Sequence, residues 1–119
     1  MATVDFSGFG HNEVTTRSAL ATLAEGDVGV VQDVTASVTI TLPSTVVGYS
    51  YPIRVGKTGI TVTIAPAALD KIMGNGFTSA DNKAMIFTNQ PAGSYVQLVG
   101  DGVNGWMVQR ILGTATRQA

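Results

Sequence analysis

The chain has 119 residues, of which 45% are hydrophobic and only 13% charged, and its net charge is −1. Ordinary soluble domains carry about 25% charged residues; here Thr, Ser, Gly, Ala and Val fill the shortfall, a composition that suits a surface covered by other molecules. The length argues for one domain, the absence of cysteine excludes disulfides and thiolate metal sites, and the near-zero charge argues against a nucleic-acid partner.

No apolar run reaches the ~18–20 residues of a membrane span, so no membrane partner is expected. Met1–Asp5 lacks the basic region and apolar core of a signal peptide, which predicts synthesis in a cytoplasm without export by the usual route. Charge is unevenly placed. Residues 1–33 hold Asp5, Glu13, Glu25, Asp27 and Asp33 against Arg17 alone, whereas basic residues outnumber acidic ones from residue 34 onward.

In chain order, residues 1–20 read as an extended N-terminal arm. Ser7-Gly8-Phe9-Gly10-His11-Asn12 has neither strand nor helix period, and its glycines make it pliable. Phe6 and Phe9 are large apolar groups that either tuck against their own domain or dock on a partner. Val14–Ala24 is open between a helical turn and a strand, and Gly26 ends it.

From Asp27 the pattern is β. Val28–Gln32 is a short strand. Val38-Thr39-Ile40-Thr41-Leu42 alternates cleanly, with Val38, Ile40 and Leu42 on one face, and Pro43 ends it. Tyr49, Tyr51, Ile53 and Val55 share the next apolar face, and Pro52 predicts an edge strand or a bulge. Lys57-Thr58-Gly59 then leads into Ile60-Thr61-Val62-Thr63-Ile64, which reads as a hairpin with the strand before it.

Gly74-Asn75-Gly76 is a turn. Ala84–Thr88 is apolar on both faces and reads as a covered inner strand. Tyr95–Gly100 and Trp106–Leu112 form a hairpin about Asp101-Gly102-Val103-Asn104-Gly105. No long repeat and no low-complexity tract is legible. The prediction is an all-β chain: a single β-sandwich or jelly-roll-like domain over 21–112, built of about seven or eight short antiparallel strands, with an arm over 1–20 and a polar tail over 113–119.

Catalytic chemistry finds little support. The single histidine, His11, lies in the pliable arm, whereas a nucleophile–base pair needs a base held by a third group. One histidine and no cysteine leave no zinc set. Asp101–Gly105 lacks the acidic ligands of a calcium loop and reads as a hairpin turn. Asp70, Asp81 and Asp101 sit in turn-like stretches, where Asp is common. The aromatics Tyr49, Tyr51, Tyr95 and Trp106 read as core before they read as a sugar platform. The expectation is a non-enzyme with no catalytic residue, no metal and no cofactor.

One resemblance is specific in its order of elements. Thr41-Leu42-Pro43, Gly48–Ile53, Val62–Pro66, Asp70–Gly74, Gly93–Val99 and Asp101–Val108 together resemble a β-domain of tailed-bacteriophage virions, found in tail-fibre tips, head fibres and capsid decoration proteins. The likeness covers roughly residues 38–112. It implies a homotrimeric β-structure without enzymatic activity.

A short chain with an arm and one domain suits a capsid decoration (cement) protein on the outer capsid surface of the virion, with the major capsid protein and its own copies as partners. On that reading Phe6, Phe9, His11, Asn12 and Arg17 of the arm touch the capsid. The alternative implied by the same resemblance is a receptor- or glycan-binding tail-fibre tip, with Trp106 and Asn104 at the sugar site.

Overall fold

The computed structural model describes residues 13–74, 77–78 and 82–118. The described chain is almost wholly β, with one 3-10 turn at Glu25–Asp27. Its strands are β1 (Val14–Arg17), β2 (Ala21–Thr22), β3 (Val31–Val34), β4 (Thr39–Thr41), β5 (Ser50–Val55), β6 (Thr61–Ala65), β7 (Lys71–Gly74), β8 (Phe77–Thr78), β9 (Met85–Thr88), β10 (Tyr95–Gly100), β11 (Gly105–Leu112) and β12 (Thr116–Arg117). They form two sheets. The larger has the order β1-β3-β5-β10-β11-β7-β8 and the smaller β12-β9-β6-β4-β2.

The first six strands alternate between the two sheets. β1, β3 and β5 pair in parallel in the larger sheet, and β2, β4 and β6 pair in parallel in the smaller one. Three successive β-β rungs are thus stacked: β1–β2, β3–β4 and β5–β6. The register runs Val14↔Val31 and Gln32↔Ile53 on one side, and Ala21↔Ile40↔Ile64 on the other. After β6 the pattern changes. β10 lies antiparallel against β5 and makes a hairpin with β11, while β9 lies antiparallel against β6.

This arrangement corrects several expectations. The strands are twelve among the described residues, not seven or eight. The ladders are half parallel, five against five antiparallel, rather than antiparallel throughout. Lys57-Thr58-Gly59 does not close a hairpin, because β5 and β6 belong to opposite sheets. The alternation that marks both as strands is indifferent to which sheet receives them. A stacked repeat exists although no sequence repeat announces it. Val14–Arg17, placed in the arm by the sequence, pairs with β3 as β1, and the tail contributes β12, which pairs with β9.

Pro52 lies in β5, an interior strand rather than an edge. The parallel ladder to β3 starts at Ile53, one residue past the proline, and Val55 donates on the other side, to the Ser94 carbonyl. The missing N–H therefore falls just outside the ladder. The hairpin over 101–104, the inner place of β9 between β12 and β6 and the shared face of Tyr51, Ile53 and Val55 are as expected, but β9 is covered on one face only, with Ile86 half-buried and Thr88 exposed on the other.

The core lies between the sheets. Val34, Ile40, Leu42, Tyr51, Ile53, Val62, Ile64, Ile72, Met85, Phe87, Val96, Leu98 and Trp106 are buried there. Full burial of each such side chain contributes about 1.5–3 kcal/mol. Gly105 admits β11 to its place beside β7. Its φ is +148°, and a side chain there would strike the Lys71 backbone nitrogen and carbonyl. Gly105→Ala is expected to cost at least about 1–3 kcal/mol from backbone strain alone, read as a lower urea midpoint at unchanged slope.

Candidate functional site

Three loops converge at the end of the sandwich where β4 and β6 leave the smaller sheet. They are 42–49, 66–70 and 101–104. Thr45 is their junction. Its N–H donates to the Asp70 carboxylate at 2.8 Å, its hydroxyl donates to the Gly105 carbonyl at 2.6 Å, and the same oxygen accepts the Gly102 N–H at 3.1 Å. Asp70 is buried beneath the loops. The Gly48 N–H reaches the Gly100 carbonyl at 3.0 Å, and the Lys71 N–H reaches the Asn104 carbonyl at 3.0 Å.

Within the hairpin loop, one Asp101 oxygen accepts the N–H groups of Val103, Asn104 and Gly105 at 2.8, 2.8 and 3.0 Å. Hydrogen bonds from Gly105 and then Val103 hold this carboxyl below the usual carboxylate range. The oxygen ties a turn, the role its sequence context suggests, and that occupies it as an acceptor.

What these pinned loops present is apolar. Val46, Val47, Leu69 and Val103 are 40%, 74%, 82% and 80% exposed. A lone exposed aliphatic is ordinary. Here four branched aliphatics stand exposed on converging, mutually bonded loops.

The outer face of the smaller sheet is the second distinctive surface. Strand alternation puts Thr39, Thr63, Ile86 and Thr116 in one row across four strands, Thr22, Thr41 and Ala65 in a second, and Thr61 opposite Thr88 in a third. No residue of these rows carries a charge. At the corner opposite the loop end, Leu20, Ser37, Val38, Thr39, Thr61 and Thr63 line an open groove of about 370 Å³.

The structure bears on some residues expected to act. Phe6, Phe9, His11 and Asn12 lie outside the described residues. Arg17 is partly buried and bonded within its own domain. Its guanidinium donates to the Gln32 side chain at 2.8 Å and pairs with Asp27 at 3.1 Å. Gln32 is fully buried, and its amide donates to the Val30 carbonyl.

Trp106 cannot serve a sugar site. It is wholly buried, its ring centroid lies 5.3 Å from that of Tyr51, and its indole nitrogen has no hydrogen-bond partner among the described residues. It sits inside because its place in β11 opposite Ile72 faces the core. Asn104 is exposed, but it stands beside no exposed tryptophan. Tyr51 donates its hydroxyl to the Ala24 carbonyl at 2.9 Å, and burial followed by the nearby Asp27 raises its pKa above the usual tyrosine value.

The apolar loop residues escaped the sequence reading. The one available signal was branched aliphatics, Val46-Val47 and Val103, inside segments otherwise built of turn formers. The chain matches no protein-family model, no curated protein and no solved structure. Among the described residues, no group of acidic or histidine side chains is placed to hold a metal, and no helix is long and apolar enough to cross a membrane.

Two outcomes follow from this geometry. Trp106→Ala is expected to destabilise the fold by about 3–5 kcal/mol, seen as a lowered thermal midpoint, because it empties the core rather than a binding face. Asp101 has a folded-state pKa below its unfolded one. Its contribution to stability is therefore complete above the unfolded value and is lost as pH falls through the folded value. Asp101→Asn is expected to flatten that acid limb of a stability-against-pH curve measured by urea unfolding, while the neutral-pH fold persists.

Proposed function

We propose that this protein is a structural component of a tailed-bacteriophage virion, a capsid decoration protein that forms a homotrimer and binds the outer capsid across several copies of the major capsid protein. The sequence pattern over roughly 38–112 supports the virion reading. The observation that carries the docking role is the apolar loop end: Val46, Val47, Leu69 and Val103 stand exposed on loops fixed by Thr45, Asp70 and Asp101. A preordered apolar patch binds without the entropic cost of arranging its own loops.

The uncharged threonine rows offer a flat second surface for neighbouring copies. Their methyl groups are apolar and their hydroxyls can pair across an interface. Such a face carries no charges to be desolvated on contact. Each individual patch is small, so stable attachment rests on several copies engaging at once. The mechanism is binding alone: the protein ties adjacent capsid subunits and raises the work of separating them.

Capsids carrying the protein are expected to rupture at higher temperature than stripped capsids; equal melting would remove the clamp. A variant combining Val47→Asp, Leu69→Asp and Val103→Asp is expected to keep its thermal midpoint, since all three side chains are exposed, and to lose at least about tenfold in capsid affinity, which corresponds to about 1.4 kcal/mol. Cosedimentation with stripped capsids measures the loss, and sizing of the free protein measures the trimer.

A further inference from the structure

The loop between β10 and β11 holds two dipeptides that are chemically fragile in water. Asp101-Gly102 and Asn104-Gly105 each set a side-chain carbonyl before a glycine. In such a pair the glycine nitrogen, with no side chain to shield it, attacks the preceding Cγ and closes a succinimide ring. At asparagine the N–Cγ bond forms and the Cγ–Nδ2 bond breaks. The glycine proton leaves with the side-chain amide as ammonia, and water then reopens the ring to aspartate or isoaspartate. At aspartic acid the leaving group is water, lost from the protonated carboxyl. Asparagine counts among the thermolabile residues.

The fold cannot remove the hazard by replacing either glycine. Gly102 and Gly105 have φ of 78° and 148°. A side chain at 105 would strike the Lys71 backbone, and one at 102 would press on Val47. The packing that demands glycine thus creates both fragile pairs, and Asn104 is exposed to solvent.

The same loop engages both attacking nitrogens. The Gly105 N–H donates to Asp101 Oδ1 at 3.0 Å, and the Gly102 N–H donates to Thr45 Oγ1 at 3.1 Å. The peptide between Asn104 and Gly105 is held at its other end too, because the Lys71 N–H donates to the Asn104 carbonyl at 3.0 Å. To reach Asn104 Cγ, the Gly105 nitrogen must turn with that peptide and give up both bonds. It must also lose its proton, which beside a carboxylate sets two negative charges together. Thr45 joins the two pairs: the hydroxyl that accepts from Gly102 donates to the Gly105 carbonyl at 2.6 Å. The N–H groups of Gly105 and Val103 keep Asp101 ionised, the form that releases no water.

We infer that Asn104 and Asp101 are modification sites held silent by Asp101 and Thr45, which occupy the attacking amides, so that isoaspartate forms in this loop only after its hydrogen bonds open. Local opening rather than solvent access then sets the rate. The inference concerns the isolated chain and stands apart from the virion reading.

The test keeps the full-length protein warm at neutral pH. Peptide mapping reads the loss of the Asn104 amide and the isoaspartate formed at 101 and 104, separately from Asn75-Gly76, the other Asn-Gly pair of the sequence. Asn104 is expected to survive at least about tenfold longer in the folded protein than in the same chain unfolded in urea. Asp101→Ala is expected to shorten that survival at least about tenfold, the change in rate that loss of one hydrogen bond to a charged group supplies. Thr45→Val is expected to speed isoaspartate formation at both pairs. Protected Ile40 and Ile64 amides show that the sheets of each variant stay folded. Equal rates in the folded and unfolded unmodified chain overturn the inference. So does either variant, with those two amides protected, that loses Asn104 no faster than the unmodified chain.

Discussion

The shared core between two facing sheets depends on a rule of connection: for the first six strands, each strand hands the chain to the opposite sheet. Every rung then contributes inward side chains from both sides, and rungs align because parallel strands repeat their register. Ile40 meets Ile64 along the smaller sheet while Val34 meets Val55 along the larger. Each of these residues is buried. The strands themselves are short, two to six residues in this part of the chain. Segments of that length hold their shape only through neighbours on both sides and a common apolar interior.

The stack ends after its third rung. Beyond the third rung, the β10–β11 hairpin and β9 turn the pairing antiparallel and let later strands close over the core. The transition costs local irregularity: a register shift between Gln97 and Leu98 in the hairpin, and a glycine at position 105 where no side chain would fit. The loops that make these turns are ordered by polar groups set beneath them. Thr45, Asp70 and Asp101 satisfy backbone donors and acceptors from three separate segments, and valine and leucine are among the residues the same loops expose. Polar residues fix the loops, while Val46, Val47, Leu69 and Val103 stand exposed beside polar neighbours such as Ser44 and Asn104.

Much of this architecture was legible from residues whose pattern has one physical meaning. Thr39-Ile40-Thr41 and Thr61-Val62-Thr63 alternate, and their apolar members are buried. The turn at Asp101-Gly102 was legible because its residue types satisfy the turn's own backbone. Sheet membership was not, since alternation specifies the face of a strand but says nothing of its partner. That is why Lys57-Thr58-Gly59 read as a hairpin when it crosses between sheets. Arg17 read as an arm residue because its partners, Gln32 and Asp27, lie ten or more positions away. Trp106 is buried, as its first reading as core implied, and the exposed loop aliphatics were hidden among residues that normally mean only turn.

The lone tryptophan also gives the molecule an internal optical probe. An indole shut in an apolar interior, its nitrogen without a hydrogen-bond partner among the described residues, emits at the short-wavelength end of the tryptophan range, and a tyrosine ring 5.3 Å away passes excitation to it. Its emission reports on whether the two sheets remain together. Events confined to the threonine rows or to the loop tips leave the colour of that light unchanged, so the integrity of the interior can be followed separately from whatever happens on the surface.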